Sequence, residues 1–232
     1  MTRHTTVLLL LMALTFPTAL TWVYFGQGGE MAKTAYSVGK VIQFSLPVLW
    51  WAIADRSRFR LAKPSSRGLL PAALFGIAVA LGAFALYFGW LKQQPLMESL
   101  ATQARIKTGA FGITSPLLFL LFALFLSLIH ALLEEYYWRA FVFAELRRLT
   151  LRSFAVAISS LGFMAHHVIV LAVYFPGRFW TTAAPLCLAV AAGGAVWAVF
   201  YDRYRSILPG WLSHAIVDAT LMIIGYDLLF RS

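Results

Sequence analysis

The stretch PLLFLLFALFLSLIHALL, residues 116–133, decides the fold class of this chain. At about 1.5 Å of rise per residue, a helix of this length nearly spans the roughly 30 Å apolar core of a bilayer. Inside lipid the backbone has to satisfy its own hydrogen bonds, and this run lacks the alternation of a barrel strand. The stretch therefore predicts a membrane-spanning helix, and two glutamates, Glu134 and Glu135, follow it directly.

Six further apolar runs lie on either side of this one. They cover residues 7–25, 41–54, 69–91, 154–175, 182–201 and 207–230, and the second is short unless it begins near Ser37. The runs predict an all-α polytopic membrane protein with a bundle of seven transmembrane helices, or eight if the segment 92–112 also enters the membrane. We expect a single transmembrane domain over residues 1–232, with a core at 116–230 that carries the polar motifs.

The composition excludes several classes of protein. Hydrophobic residues make up 61% of the chain and charged residues only 12%, whereas a soluble domain carries about 25% charged residues. The net charge is +10, but the basic residues occupy the short gaps between apolar runs, as they do in loops that flank membrane spans. This placement argues against nucleic-acid binding, and the single cysteine, Cys187, allows no intrachain disulfide.

The distribution of Lys and Arg predicts the orientation of the bundle. With the N-terminus inside and seven spans, the inner loops hold most of them: Arg3, Arg56, Arg58, Arg60, Lys63, Arg67, Arg139, Arg147, Arg148, Arg152, Arg203 and Arg205. The outer loops hold fewer: Lys33, Lys40, Lys92, Arg105, Lys107, Arg178 and Arg231. We therefore expect the N-terminus inside and the C-terminus outside. The first run is longer than the apolar part of a signal peptide, so we expect it to be a retained span.

Three of the predicted helices carry ionisable side chains, which cost about 2.5–3.5 kcal/mol each at the centre of a membrane helix. Most come in pairs four residues apart, a spacing that places both members on one face. The pairs are His130 with Glu134, Glu135 with Arg139, and His214 with Asp218; Phe163 and His167 share this spacing, beside His166. The acids and imidazoles lie at similar depths, roughly 14–22 Å from the basic inner ends. This common depth predicts one polar cluster inside the bundle.

The two glutamates differ in their neighbours. Glu135 has Arg139 one turn away, so the two charges neutralise each other, whereas Glu134 has no cation at that spacing. A less compensated carboxylate in a low-dielectric site is the better candidate for proton chemistry. The alternative is that the helix ends here, with both acids in water and residues 136–138 in an interfacial aromatic belt. Of His166 and His167 we expect only one to face the cluster.

Taken in order, Glu-Glu-x-x-x-Arg at 134–139, Phe-x-x-x-His at 163–167 and His-x-x-x-Asp at 214–218 resemble the three motifs of the CPBP family. This family, also called Abi, contains the CAAX prenyl-protein endopeptidases and the bacteriocin-processing proteins. Its members are polytopic helical proteins regarded as intramembrane glutamic proteases. The resemblance implies an endopeptidase of a prokaryotic cytoplasmic membrane that cleaves a membrane-delivered peptide or protein, either lipidated or a leader peptide.

The resemblance also implies roles for individual residues. Glu134 and His167 activate the attacking water, His214 and Asp218 stabilise the tetrahedral oxyanion, and Glu135, Arg139 and Phe163 shape the site. The last motif position is Asn or Asp in the family. An ionised Asp218 cannot donate a hydrogen bond, so it has to be protonated or to orient His214 as the donor.

Three alternatives stay open at the level of the sequence. Hydrolysis by Glu and His needs no cofactor, but Glu134, His167 and His214 are also residue types that bind zinc, although the chain has no His-Glu-x-x-His motif. A proton-coupled transporter also needs acids and histidines in the membrane, yet no repeat or pair of broken helices is apparent. A scaffold or immunity protein would keep the motifs for structural reasons alone.

Overall fold

The computed structural model describes residues 3–54 and 65–231, and within these ranges it has eight helices and no strand. The helices are α1 (Arg3–Trp22, continued by the π turn Val23–Gln27), α2 (Gly29–Ala54), α3 (Leu69–Gly89), α4 (Leu96–Ala110), α5 (Pro116–Leu149), α6 (Arg152–Tyr174), α7 (Ala184–Tyr204, preceded by the π turn Phe179–Ala183) and α8 (Leu208–Phe230).

Six of these helices are long and apolar enough to cross a membrane: α1, α3, α5, α6, α7 and α8. The prediction of an all-α polytopic membrane bundle is thereby confirmed. The remaining predicted span, 41–54, lies in α2, which begins at Gly29 and is not one of the six. Its first half carries Glu30, Lys33 and Lys40, so Lys40 lies on a helix of the bundle and not in an outer loop as predicted.

The segment 92–112 does not supply an eighth span. It contains α4, whose 15 residues are fewer than the roughly 20 that a crossing requires. The apolar side chains of Met97 and Ala101 on this helix pack against Tyr87 of α3 and Leu228 of α8. Helix α4 therefore covers one end of the α3–α8 pair.

Helix α5 carries the first motif and runs past it without a break. It begins where the Ser115 side chain accepts a hydrogen bond from the backbone N–H of Leu118, and it ends at Leu149. Two π-helical stretches, Phe125–His130 and Tyr136–Phe143, flank the short α-helical segment Ala131–Glu135. The alternative in which the helix ends at the glutamates and leaves them in water is therefore wrong. Glu134 is 3% exposed and Glu135 is fully buried.

The core of the bundle surrounds the second half of α5. Helix α8 packs mainly on α3, and α6 packs on both α7 and α1. Most of the largest fully buried side chains of the described residues lie between these helices: Tyr137, Trp138, Arg139, Phe141, Phe143 and Phe163. The hydroxyl of Tyr137 donates a 2.7 Å hydrogen bond to the carbonyl of Ala13, which ties α5 to α1. This packing places the polar motifs in the interior, away from lipid.

Acidic residues at the helix ends serve to join helices. Asp202 of α7 pairs with Arg147 of α5 at 3.3 Å and with Arg152 of α6 at 3.0 Å. At the opposite end, Asp227 of α8 accepts hydrogen bonds from Tyr87 and Lys92. Both Asp202 and Asp227 therefore have a structural role in joining helices.

The predicted orientation of the chain stays a prediction. Four of the inner cations, Arg56, Arg58, Arg60 and Lys63, lie outside the described residues. Arg139 is buried inside the bundle, and it therefore does not count as a loop cation.

Candidate active site

The carboxylate of Glu134 lies at the centre of the polar cluster, where α5, α6 and α8 meet. Its Oε1 atom is 3.4 Å from Nε2 of His166, and its Oε2 atom is 3.8 Å from Nε2 of His214. The Nδ1 atom of His130, one turn earlier on α5, is 3.9 Å from Oε2. No described residue forms a hydrogen bond with Oε1. A buried acid is thus surrounded by imidazoles, with a lone pair available to a water molecule.

The neighbouring carboxylate, Glu135, has two firm partners. Arg139 lies 3.2 Å away on the same helix, so the pair expected from the spacing is present. In addition, Oε1 of Glu135 accepts a 3.0 Å hydrogen bond from Nδ1–H of His214 on α8. Glu135 therefore links the first motif to the third, a contact that the spacing within α5 does not predict.

The guanidinium of Arg139 is fixed between two aromatic rings. Its Cζ atom lies 4.7 Å from the ring centre of Phe163 and 5.2 Å from that of Trp197, distances typical of cation–π contacts. Its Nη2 donates a 3.2 Å hydrogen bond to the carbonyl of Gly194. Phe163 of the second motif therefore packs against the guanidinium of Arg139.

A glycine allows α8 to approach α5 at this point. A Cβ atom at Gly210 would lie 2.5 Å from Oε2 of Glu135, so any larger residue would require the carboxylate to move. The approach brings Glu135 within hydrogen-bond distance of His214, one turn further along α8.

The ring of His214 is held on several sides. Trp197 of α7 stacks on it with ring centres 4.0 Å apart and planes 14° apart, and Phe163 meets it edge-on at 5.9 Å. Because Nδ1 is bonded to Glu135, the Nε2 atom faces Glu134 and Asp218. Trp197 is itself anchored by a 2.6 Å hydrogen bond from its indole N–H to Ser213. Sequence reasoning missed Trp197, since one tryptophan in an apolar run gives no motif.

Both histidines of the second motif lie at the site. Their ring centres are 4.1 Å apart, so the expectation that only one of them faces the cluster is too strict. His166 is the one with a nitrogen within 4 Å of Glu134, and its ring lies parallel to Trp138. The Nδ1–H of His167 donates a 2.9 Å hydrogen bond to the carbonyl of Phe163.

Asp218 lies at the edge of the cluster. Its Oδ1 atom is 3.7 Å from Nε2 of His214, and its side chain is 23% exposed, the largest exposure among the acids of the site. This separation exceeds that of a hydrogen bond. The group that orients the ring of His214 is therefore Glu135.

The donor atoms named for a zinc site do not converge. Among residues 3–54 and 65–231, no three side chains of His, Cys, Asp or Glu form a group that could hold a metal ion. Glu134, His167 and His214 thus do not fit as a three-ligand set for zinc.

We expect Arg139→Ala to destabilise the protein as well as to reduce any activity. The substitution removes the cation that pairs with the buried Glu135 carboxylate and leaves only the hydrogen bond from His214. Breaking a buried ion pair in this way costs about 3–5 kcal/mol in comparable soluble cases. Thermal unfolding in detergent measures the effect, with Arg178→Ala, an exposed arginine, as the control. An unchanged melting curve for Arg139→Ala would contradict the structural role of the pair.

Comparison with known proteins supports the resemblance drawn from the motifs. No curated protein and no solved structure matches the chain. A family model does match, that of the type II CAAX prenyl endopeptidases, Rce1-like, over residues 116–220. The match begins at the first residue of α5 and includes every motif residue, while α1 to α4 lie outside it. Residues 116–220 of the membrane protein are therefore similar to the Rce1-like family, as the CPBP resemblance predicts.

Proposed function

We propose that this protein is an intramembrane endopeptidase that hydrolyses a peptide bond with water activated by Glu134 and His167. The observation that best supports the proposal is the placement of the buried Glu134 carboxylate among imidazoles from α6 and α8. The family match adds support for peptidase chemistry.

His167 is suited to act with Glu134 on the water. A backbone carbonyl can only accept a hydrogen bond, so the contact with Phe163 requires a proton on Nδ1 of His167. The neutral ring then carries a lone pair on Nε2, and no described residue forms a hydrogen bond with that atom. A water bound between Nε2 and Oε1 of Glu134 has two acceptors for its protons as its oxygen attacks the carbonyl carbon. His166, nearer to Glu134, holds the carboxylate in place.

His214 is suited to stabilise the oxyanion. Glu135 accepts the hydrogen bond from Nδ1–H, and when the ring is an imidazolium its second proton, on Nε2, can be donated to the carbonyl oxygen as negative charge develops there. The carboxylates of Glu134, Glu135 and Asp218 surround the ring and stabilise an imidazolium. Stacking on Trp197 fixes the ring plane, so the donor needs little rearrangement during the reaction. The proton taken from water passes to the leaving amine, which completes the hydrolysis.

The direct test is hydrolysis by purified protein reconstituted in liposomes, assayed with membrane-delivered peptides. Natural substrates are sought by comparing the peptides of cells that express the intact protein with those of cells that express Glu134→Gln. We expect peptides that depend on Glu134 in both experiments. Folded protein that cleaves nothing in either one would favour a scaffold, and proton-driven flux in the same liposomes would favour a transporter.

The two neighbouring histidines are expected to respond differently to substitution. His167→Gln removes the base that faces the water, which is worth about 10²–10⁴ in rate. His166→Gln keeps a polar side chain beside Glu134, so we expect a smaller loss. Turnover rates of both variants on one peptide, with folding checked by melting temperature, decide the order. A larger loss for His166→Gln would transfer the role of base to His166.

A further inference from the structure

Three arginines share one carboxylate where α5 and α7 end and α6 begins. Asp202, near the end of α7, lies 3.3 Å from Arg147 of α5 and 3.0 Å from Arg152 of α6. Its third partner, at 3.7 Å, is Arg205, which directly follows α7. Within residues 3–54 and 65–231, these three guanidiniums have no second carboxylate at ion-pair distance. This arginine cluster therefore has two positive charges more than its shared acid can balance.

The excess charge lies at the surface, at the level where the spans end. The side chains of Arg152 and Arg205 are 53% and 71% exposed. The neighbouring acid, Glu145, is buried and already pairs with a fourth arginine, Arg148, at 3.2 Å. The candidate spans end or begin at residues 149, 152 and 204, which is the depth of the lipid headgroups. The counter-ion of this cluster is therefore sought among the headgroups.

Exposed apolar side chains adjoin the cluster. Leu151 and Phe154, on either side of Arg152 in the chain, are 70% and 60% exposed. A soluble anion would use only the guanidiniums, whereas an amphiphile would use the cations and the apolar surface together. The combination therefore favours a lipid over a free anion.

The backbone at Arg205 is unusual for an arginine. Its φ of 52° and ψ of 34° lie in the left-handed region, where a helix normally ends with Gly or Asn. It is the one non-glycine residue with a positive φ in the part of the chain that the structure describes. Strained residues of this kind are concentrated at functional sites, and this one places its guanidinium beside Asp202.

We propose that the arginine cluster binds the phosphate of one anionic membrane lipid, whose acyl chains lie against Leu151 and Phe154. The planar guanidinium fork matches a pair of phosphate oxygens, and basic sites between membrane helices bind anionic headgroups. Asp202 holds the guanidiniums together, and the lipid supplies the negative charge that the cluster lacks. This inference is independent of the proposed endopeptidase function.

The test uses full-length protein in a neutral detergent, titrated with phosphatidylglycerol or with phosphatidylcholine of the same acyl chains. Native mass spectrometry counts the bound lipids and gives the Kd. We expect one phosphatidylglycerol per chain, bound about tenfold or more tightly than phosphatidylcholine. Arg152→Gln and Arg205→Asn should each weaken its binding about fivefold, the effect of one cation at a membrane surface. Arg178→Gln, beside the exposed Trp180 at the opposite ends of α6 and α7, is the control and should keep the affinity.

Two variants separate lipid binding from the joining of helices. Asn suits the left-handed position, so Arg205→Asn should keep or raise the Tm measured without lipid while it weakens binding. Asp202→Asn removes the internal counter-ion of the cluster. We expect it to lower the Tm, to bind phosphatidylglycerol at least about twofold more tightly, and to recover part of the lost Tm when the lipid is added.

Several results would overturn the proposal. Equal affinity for the two lipids would do so, as would arginine variants that bind phosphatidylglycerol as the control does. An earlier melting of Asp202→Asn without any gain in affinity would leave the cluster with a structural role alone; if this variant does not fold, Arg152→Gln and Arg205→Asn decide. Glycerophosphoglycerol, the headgroup without acyl chains, should compete at least about tenfold more weakly than the lipid. Competition as strong as that of the lipid would assign the cluster to a soluble anion instead.

Discussion

Replacement of Glu134 by Gln is expected to lower kcat/KM for peptide hydrolysis by at least about a thousandfold, the range of a lost general base. Glutamine has nearly the same shape, so the contacts with His166 and His214 persist in altered form. Its amide cannot take a proton from water. The variant should therefore insert and melt almost as the parent does, and the loss should appear in the chemical step. Single-turnover assays on one membrane-delivered peptide measure it.

A second acid on the same helix provides the control. Glu145 is also buried and pairs with Arg148 at 3.2 Å, but it lies near the end of α5, away from the cluster. We expect Glu145→Gln to keep most of the activity. If Glu134→Gln retains activity within about tenfold of the parent, equivalent to 1.4 kcal/mol of barrier, Glu134 is not the base.

The sequence predicts the fold class because lipid imposes long apolar helices. The ends of α6 and α8 agree with the predicted runs to within two residues. The start of α2 does not, since the polar residues from Gly29 to Lys40 break the apolar pattern while the helix continues. Apolar runs therefore reveal the apolar part of a helix, and they miss a polar first part such as Gly29 to Lys40, where the helix continues without an apolar pattern.

The same distinction applies to the site. The spacing of Glu135 and Arg139 predicts their pairing, because both residues lie on one helix. The hydrogen bond between Glu135 and His214 joins two helices and depends on their close approach at Gly210. The spacing of residues along the chain does not predict this approach. The π stretches that flank Glu134 and Glu135 also shift the side chains relative to a regular helix. For this reason the contacts within one helix could be predicted from the sequence, whereas the contacts between helices could not.

The third motif ends in Asp218, where Asn is the alternative residue of the motif. We expect substitution of His214 to reduce the activity more than substitution of Asp218. His214→Ala removes the donor to the oxyanion, so we expect a loss of about 10²–10³ in kcat. Asp218 is 3.7 Å from the ring and is not the group that orients it. Its side chain can still contribute hydrogen bonding beside Nε2, and Asn has the same shape and can donate to an oxyanion. We therefore expect Asp218→Asn to retain clearly more activity than Asp218→Ala, and His214→Ala to be the least active of the three.

Turnover rates of the three variants across pH, on one peptide, test this order. Asp227→Asn is the matched control, because it makes the same change on α8 at a residue bonded to Tyr87 and Lys92, remote from the cluster. If Asp218 only shapes the oxyanion site, the protonation of its carboxyl does not affect the rate, and the Asn variant keeps the pH profile of the parent. If Asn and Ala at position 218 are equally inactive in folded protein, the proton of the Asp218 carboxyl takes part in the reaction. Asp218 would then transfer this proton, because an amide can replace a carboxyl group that only donates a hydrogen bond to the oxyanion, whereas it cannot replace one that gives up its proton.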